Sequence, residues 1–241
     1  MKAALAIAIR VASTGAVAAL CSGCPDPNIY GTPRTTPVGK LSHTVAVQTA
    51  SYSFDNTKQL GGVSDRATTL LPPSYQLRIG VVDTLDIGIR AALASTLGVD
   101  IKWNFIKTDV FDMAFDPSIQ ASYYDSCSSD GGSHGQVYGN LPLLFGINVS
   151  DSVSVVPTAG ITYGCASRVT LFGHSPSESA DTRGVMLRGG LGVEVRVSPK
   201  FGLHPEITSL TYVGSDSKPA VSWLVFGLGF NLGALPQWSG N

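Results

Sequence analysis

The sequence has few charged residues and no excess of either sign. Asp, Glu, Lys and Arg make up 14% of the 241 residues, and the formal net charge is −1. Soluble domains average about 25% charged residues. A chain without a basic surface attracts neither nucleic acid nor anionic lipid, so we expect no nucleic-acid partner. A chain this poor in charge that also contains 27 Gly either buries much of its surface or faces something other than water.

Helical periodicity is also missing beyond residue 40, where apolar and polar residues alternate instead. Residues 85–94, for example, place Ile87 and Ile89 on one face and Asp86 and Arg90 on the other. This period of two is typical of β-strands. Similar runs predict ten strands, near residues 42–54, 74–82, 85–94, 98–106, 111–124, 136–149, 152–165, 184–198, 201–213 and 218–232.

The predicted strands are long, and their connections alternate in length. Most exceed the ~5–6 residues usual in soluble proteins and reach the ~9–11 residues that a membrane-crossing strand needs. The longest links, 55–73, 125–135 and 166–183, follow the first, fifth and seventh strands. If the first strand starts in the periplasm, these long links all lie outside the cell, as in outer-membrane barrels. A transmembrane helix over 219–235 is the alternative for the last strand, but its alternation fits a strand better.

Three of the outward-running strands share a pattern of Pro followed by Tyr. In each, a Pro near the beginning precedes a Tyr six or seven residues later. Pro belongs near the start of a strand because it cannot donate to the ladder. We expect the tyrosine rings at the far membrane interface, where amphipathic rings are enriched, at Tyr123, Tyr163 and Tyr212.

The N-terminus predicts export. Residues 1–23 have early positive charges and then an apolar run ending in small residues, the layout of a signal peptide. Their ending, "LCSGC", resembles the lipobox of bacterial lipoproteins, which implies lipid attachment at Cys24, with simple cleavage as the alternative. Residues 24–40 are rich in Pro and are interpreted as an extended tether.

These features together resemble a small Gram-negative outer-membrane β-barrel protein. The resemblance implies an all-β fold, an antiparallel up-and-down transmembrane β-barrel of about ten strands over 41–232, with a C-terminal tail at 233–241. It also implies the bacterial outer membrane as location and the barrel-assembly machinery as a partner, and it names no extracellular partner. The rival is a soluble, lipid-anchored, lipocalin-like barrel that binds a small apolar ligand.

If lipid contacts the apolar face, the polar face becomes the lumen. A barrel of about ten strands holds little beyond its own side chains, and buried charges need partners. We therefore predict a salt-bridged filling, with a narrow conducting path as the alternative. The residues are Arg78, Asp86, Arg90, Asp100, Lys102, Asp112, Asp116, Arg188, Glu194, Arg196, His204 and Glu206.

Catalytic signals are weak. His204 and Glu206 share one strand face, yet no nucleophile accompanies them. Ser175 and Ser177 lie near His174, but in a Ser-rich segment such proximity is common. No spacing of His, Cys or Asp indicates a metal site, and no cofactor is expected. We predict an interaction or structural role rather than an enzyme, with a lipid- or peptide-hydrolysing barrel as the alternative.

Two cysteines remain in the body of the chain, Cys127 and Cys165. An exported protein meets oxidising conditions, so a disulfide between them is one interpretation and two free thiols are the other. They flank one intervening strand, and Cα atoms two strands apart lie ~9–10 Å from each other, beyond direct bonding. A disulfide therefore requires the loop of Cys127 to fold back.

Overall fold

The fold is a single closed antiparallel sheet. The computed structural model describes residues 26–55, 65–92, 96–125, 133–168, 182–213 and 220–236. Within these ranges, no helix is long and apolar enough to cross a membrane. The strands are β1 (Leu41–Asp55), β2 (Asp65–Val82), β3 (Leu85–Ala92), β4 (Thr96–Lys107), β5 (Phe111–Phe115), β6 (Ser118–Asp125), β7 (Ser133–Ser150), β8 (Val153–Arg168), β9 (Thr182–Ser198), β10 (Phe201–Val213) and β11 (Ala220–Gly233).

Strands that follow one another in sequence pair, except β5 with β6, and the first strand pairs with the last. The β1–β11 ladder runs without interruption from Ser42–Gly233 to Asp55–Ala220. Strands β5 and β6 both lie between β4 and β7, so the eleven strands fill ten positions around the wall. The predicted up-and-down barrel of about ten strands is confirmed.

The strand predicted over 111–124 is interrupted at Asp116 and Pro117. The Asp116 N–H donates to the Pro142 carbonyl at 3.1 Å, but Pro142 has no N–H with which to return the bond. Pro117 lacks the same donor, although its carbonyl accepts a bond from Ile101 N–H at 3.0 Å. Two prolines on facing strands therefore split one wall position into β5 and β6 without shifting its register.

The outer face of the wall is apolar and the inner face is polar. Along β4 the side chains alternate strictly, with Val99 and Ile101 half-exposed outside and Asp100 and Lys102 buried inside. A soluble barrel needs the opposite arrangement, so the lipocalin-like alternative is not favoured. The outward apolar residues recur on every full-length strand and include Val47, Ile79, Ile89, Leu97, Ile119, Leu141, Ile161, Leu187, Ile207 and Phe226.

The four described hairpin connections of two or three residues lie at one end of the barrel, here called the turn end. Leu41 and Gly233, the two ends of the wall, lie there as well. The opposite end, here called the loop end, carries five links that fall outside the described residues, and four of them are longer than any turn-end connection. The five links are 56–64, 93–95, 126–132, 169–181 and 214–219. This asymmetry agrees with the predicted orientation. The turn-end connections are 83–84, 108–110, 151–152 and 199–200.

Two of the tyrosines predicted at the far membrane interface lie on opposite faces of the wall, and the prediction is wrong for the one that faces inward. Tyr163 is 49% exposed on the outer face, whereas Tyr212 packs inside the lumen against Met186 and Leu210. Tyr163 follows its Pro by six residues and Tyr212 by seven, and an odd step turns a strand residue to the opposite face. Tyr123 lies in β6, but its side chain is outside the described residues.

Aromatic residues on the outer face also occur near the turn end. Trp103 and Phe105 of β4 are 53% and 40% exposed, and their ring centroids lie 5.5 Å apart. Trp103 pairs with Leu85, the first residue after a turn-end connection. Their position is the one expected for the aromatic girdle of the second membrane interface, which the Pro…Tyr pattern did not identify.

The Pro-rich segment does not form a tether outside the barrel. Residues 26–36, here called the plug, lie in the lumen, where Asn28 is 0%, Tyr30 3% and Arg34 5% exposed. Residues 37–40 are exposed at the turn end, where Gly39 N–H donates to the Gly80 carbonyl at 2.8 Å. The predicted tether over 24–40 is therefore wrong for residues 26–36, since polar lumen groups satisfy the extended backbone in place of water.

Several terminal and loop predictions fall outside the described residues. They are the signal peptide over 1–23, lipidation at Cys24, and Cys127. Cys165 lies in β8, but its side chain is not described. Of the tail over 233–241, Leu235 is buried at the turn end and residues 237–241 are not described.

The lipid-facing surface can be tested by introducing a charge at two depths. Leu191 lies near the middle of β9 and is 48% exposed, while Val197, one residue before the strand ends, is 61% exposed. Leu191→Arg should lower the free energy of unfolding by about 2–4 kcal/mol, and the control Val197→Arg by about 0–1 kcal/mol. Denaturant unfolding in lipid vesicles measures both. Equal losses would contradict the proposed membrane depth of β9.

Candidate functional site

One half of the lumen wall carries a cluster of paired charges. Arg78 of β2 contacts Asp86 of β3 and Asp100 of β4, and it lies 3.0 Å from Asp116 at the β5–β6 break. Lys102 Nζ lies 3.3 Å from Asp86. These five residues, here called the Arg78 cluster, are all buried. Each charge has an opposite charge within reach, which is the condition for burying it.

The opposite wall carries a second cluster, formed by Arg188, Glu194, His204 and Glu206 and here called the Glu206 cluster. His204 Nδ1 lies 2.9 Å from Glu194 Oε2, and His204 Nε2 lies 3.7 Å from Glu206 Oε2. Arg188 Nη2 approaches Glu206 at 3.9 Å. Asn231 of β11 donates to Glu194 at 2.7 Å. Strands β9, β10 and β11 thus bring together side chains that are separated along the chain.

The other three predicted lumen residues lie outside both clusters. Arg90 is buried and donates to the main-chain carbonyl of Asn28. Asp112, near the turn end, pairs with Arg34 Nε at 2.8 Å. Arg196 is half-buried. Two of these three residues therefore contact the plug, which the sequence patterns did not place in the lumen.

The side chain of Glu206 binds the main chain of the plug. Its carboxylate accepts the Ile29 N–H at 3.0 Å and the Tyr30 N–H at 2.6 Å. Thr208 Oγ1 donates to the same carboxylate at 3.1 Å. Hydrogen bonds to an ionised acceptor are roughly twice as strong as neutral ones. This contact joins residues 177 positions apart, so it ties the N-terminal segment to the end of the barrel.

The main-chain carbonyls of the plug are also bound by the wall. Lys102 donates to Thr32 O at 3.1 Å, Gln120 to Asp26 O at 3.1 Å and Asn231 to Tyr30 O at 3.1 Å. On the donor side, Thr36 N–H reaches Asp86 at 2.9 Å. The wall thus supplies the donors and acceptors that a neighbouring β-strand would otherwise provide.

The longer side chains of the plug contact the wall, in addition to the hydroxyls of Thr35 and Thr36, which hydrogen-bond Asp83 O and Ser42. The Tyr30 hydroxyl donates to Gln48 at 2.8 Å, and its ring lies edge-on to His204 with centroids 6.4 Å apart. The Arg34 guanidinium binds Asp112 and also donates to the Thr108 carbonyl at the turn end. Tyr30 therefore anchors the middle of the plug and Arg34 its turn-end part.

Glycines on the inner face leave room for the plug. A Cβ atom at Gly229 would lie 2.9 Å from the Tyr30 ring, and one at Gly146 would lie 3.0 Å from the Pro33 ring. A Cβ at Gly80 would collide with the backbone of Thr36. The abundance of Gly in alternating strands was a signal of close backbone approach, and it could have indicated that a segment fills the lumen.

The candidate catalytic residues that the structure describes are buried in the lumen. His204 is 0% exposed and covered by Tyr30, and the hydroxyl of Thr208 already donates to Glu206. Among the described residues, no group of three or more His, Cys, Asp or Glu is arranged to hold a metal ion. Ser175 and Ser177 are outside the described residues. Glu194, His204 and Glu206 form a buried network whose polar contacts are with the wall and the plug.

The closed sheet, the apolar exterior and the buried polar interior decide the class of protein. The chain folds as an outer-membrane β-barrel. No family model and no curated protein matches the sequence.

Among solved structures, similarity extends to several barrels. The attachment invasion locus protein Ail of Yersinia pestis has a TM-score of 0.42 and 12% identity over 81% of this chain and 100% of its own. The outer membrane protease OmpT of Escherichia coli has a TM-score of 0.46 and 9% identity over 83% and 98%. Neisserial surface protein A has a TM-score of 0.42 and 10% identity over 79% and 96%. These low values concern barrel architecture and carry no functional assignment.

The hydrogen bonds between Glu206 and the plug predict that Glu206→Gln has a local effect. Replacing the carboxylate by an amide removes a charge-assisted acceptor from Ile29 and Tyr30. The loss should destabilise the bound state of the plug by about 2 kcal/mol. Amide hydrogen exchange at these two residues should become roughly 30-fold faster, since about 1.4 kcal/mol corresponds to a factor of ten. Hydrogen exchange with mass spectrometry on the folded protein measures this.

The matched control is Thr162→Val. Thr162 is buried in the lumen and donates to Asn140 at 2.8 Å, so this variant also loses an internal hydrogen bond. It should leave exchange at Ile29 and Tyr30 unchanged. Equal acceleration in both variants would show that Glu206 acts on the whole barrel rather than on the plug.

Proposed function

We propose that the protein is a non-enzymatic outer-membrane component whose lumen is closed by its own N-terminal plug. The observation that carries this proposal is the burial of residues 26–36 among the paired charges of the wall. A barrel of about ten strands has a narrow interior, and this one holds an extra chain segment in addition to its inward side chains. Its loop end is then the part available to ligands or partners.

Apolar side chains in the loop-end half of the lumen also support a closed barrel. Tyr138, Met186 and Leu210 form a buried apolar cluster there, and Trp223 packs against it. A second buried cluster, formed by Ala50, Leu71 and Val225, lies at the same end on β1, β2 and β11. Apolar side chains in a narrow lumen disfavour a continuous water path. Closure thus combines a charged, plugged region with apolar layers above it.

The hydrolase alternative has less support. Attack on a lipid or peptide bond needs a nucleophile that a substrate can reach, whereas the hydrogen bonds of Glu206 and Thr208 are occupied within the lumen. The pairing of His204 with Glu194 serves to hold a buried imidazole in place. A structural role accounts for both contacts without an additional group.

Ion conductance tests the closed state. In planar lipid bilayers the wild-type protein should show no steady conductance steps. A variant lacking residues 26–36 should show them, because the deletion removes the segment that lies between the two charge clusters. Steps in the wild-type protein would overturn the proposal.

The deletion variant must first be shown to be folded, by heat-modifiable mobility in electrophoresis. If the folded deletion variant shows no conductance steps, closure is assigned to the apolar clusters at the loop end rather than to the plug. Replacing Tyr138 and Met186 by Ala in that variant would then open the lumen.

Lipid attachment at Cys24 stays a prediction. The buried position of Asp26, two residues later in the chain, restricts the position that Cys24 can take. Asp26 is 3% exposed, and its carbonyl accepts hydrogen bonds from Arg90 and Gln120. Two residues span at most ~7 Å, and the wall beside Asp26 consists of the continuous β2–β3 and β3–β4 ladders. We propose that an acyl chain on Cys24 and the plug in the lumen exclude each other.

This exclusion predicts two separate populations. Protein carrying a diacylglyceryl group on Cys24 should lose exchange protection at Ile29 and Tyr30, because its plug is withdrawn. Protein without that group should retain the protection. Intact-mass analysis combined with hydrogen exchange distinguishes the two, and an acylated protein with a fully protected plug would contradict the exclusion.

A further inference from the structure

The contacts between wall and plug are directed mainly at the peptide backbone. Between residues 26 and 32, wall side chains bind two main-chain N–H groups and four main-chain carbonyls, at Asp26, Asn28, Ile29, Tyr30 and Thr32. The binding groups come from five strands, since Arg90, Lys102, Gln120, Glu206 and Asn231 lie on β3, β4, β6, β10 and β11. Backbone recognition of this kind tolerates many sequences.

Side-chain recognition is confined to a few positions. Tyr30 fits over Gly227 and Gly229 and donates to Gln48, and Arg34 pairs with Asp112. Between them Gly31 borders a small cavity of about 30 Å³. A Cβ at Gly31 would meet only Ile29, at 3.9 Å. The lumen therefore selects a Tyr followed four residues later by an Arg and leaves space for a larger residue directly after the Tyr.

We propose that the lumen is a receptor for an extended polypeptide, and that residues 26–36 are its resident occupant. The partner class is an unstructured peptide segment with a Tyr and an Arg at this spacing, supplied by another chain. This inference rests on the proposed function, because the plug must occupy the lumen for it to be exchanged. A cleft of about 270 Å³ at the turn end, bordered by Arg34, Pro37, Asp83 and Lys107, provides the approach.

Burial of the wall charges supports a receptor rather than a passive filling. Without a peptide, Glu206 would lose both of its N–H donors and Lys102 the carbonyl of Thr32. A buried charge that loses its partners is strongly unfavourable. The wall is thus arranged to bind a main chain, and a second polypeptide that offers the same groups would satisfy it equally well.

The test uses the full-length chain and a labelled peptide with the sequence of residues 26–36. In the protein variant Tyr30→Ala/Arg34→Ala, the two large side-chain anchors of the resident plug are lost while its backbone remains. The peptide should bind this variant saturably and at least tenfold more tightly than it binds the wild-type protein. Fluorescence anisotropy in detergent or lipid vesicles measures the affinity.

Two controls identify the site. Adding Glu206→Gln to the variant should weaken peptide binding at least tenfold, and a peptide carrying Ala in place of both Tyr30 and Arg34 should bind at least tenfold more weakly. A peptide with Gly31→Ser should bind as well as the original. Absence of saturable binding, or equal binding of a scrambled peptide, would overturn the inference.

Failure of this inference can be distinguished from failure of the proposed function. A wild-type barrel that conducts no ions while its variant binds no peptide leaves the plug as a permanent closure and rejects only the receptor. A wild-type barrel that conducts rejects the closed state itself.

Discussion

The ladder between β1 and β11 is the constraint on which the other features of the structure depend. It joins the first and last strands over their full length, from Ser42–Gly233 to Asp55–Ala220, and leaves the sheet without an edge. Hydrocarbon offers no hydrogen bonds, so an open edge in the membrane would leave a row of unpaired backbone groups. Closure also separates an outer surface from an enclosed one, and this separation allows an apolar exterior and a charged interior on the same strands.

The enclosed surface creates a second requirement, since charges inside the barrel need partners. The Arg78 cluster meets it largely within the wall, where one guanidinium contacts three carboxylates. The Glu206 cluster does not, because the Glu206 carboxylate takes its main-chain hydrogen bonds from the plug. The two clusters thus differ in degree. The first is paired mainly within the wall, and Lys102 and Asp86 add contacts with the plug main chain. The second contains a carboxylate whose main-chain hydrogen bonds come from the plug.

Several features could be predicted from local sequence, and the failures have identifiable causes. The strict alternation of β4 predicted that Asp100 and Lys102 face inward. Tyr212 was misplaced because a spacing of seven instead of six reverses the face of a strand. The break at Asp116 depends on Pro142, which lies on the neighbouring strand. A short pattern along one strand cannot reveal what faces it across the ladder.

The sequence by itself determined the strand pattern, the inward and outward faces, and thereby the membrane barrel, because these follow from a period of two between adjacent residues. Only the tertiary structure decided the place of the Pro-rich segment. Its composition predicts an extended chain in either location, in water or in the lumen. Its position depends on contacts such as Ile29 with Glu206, 177 residues apart, and on the space left by Gly80 and Gly229. No local pattern encodes such contacts, because they exist only after the sheet has closed.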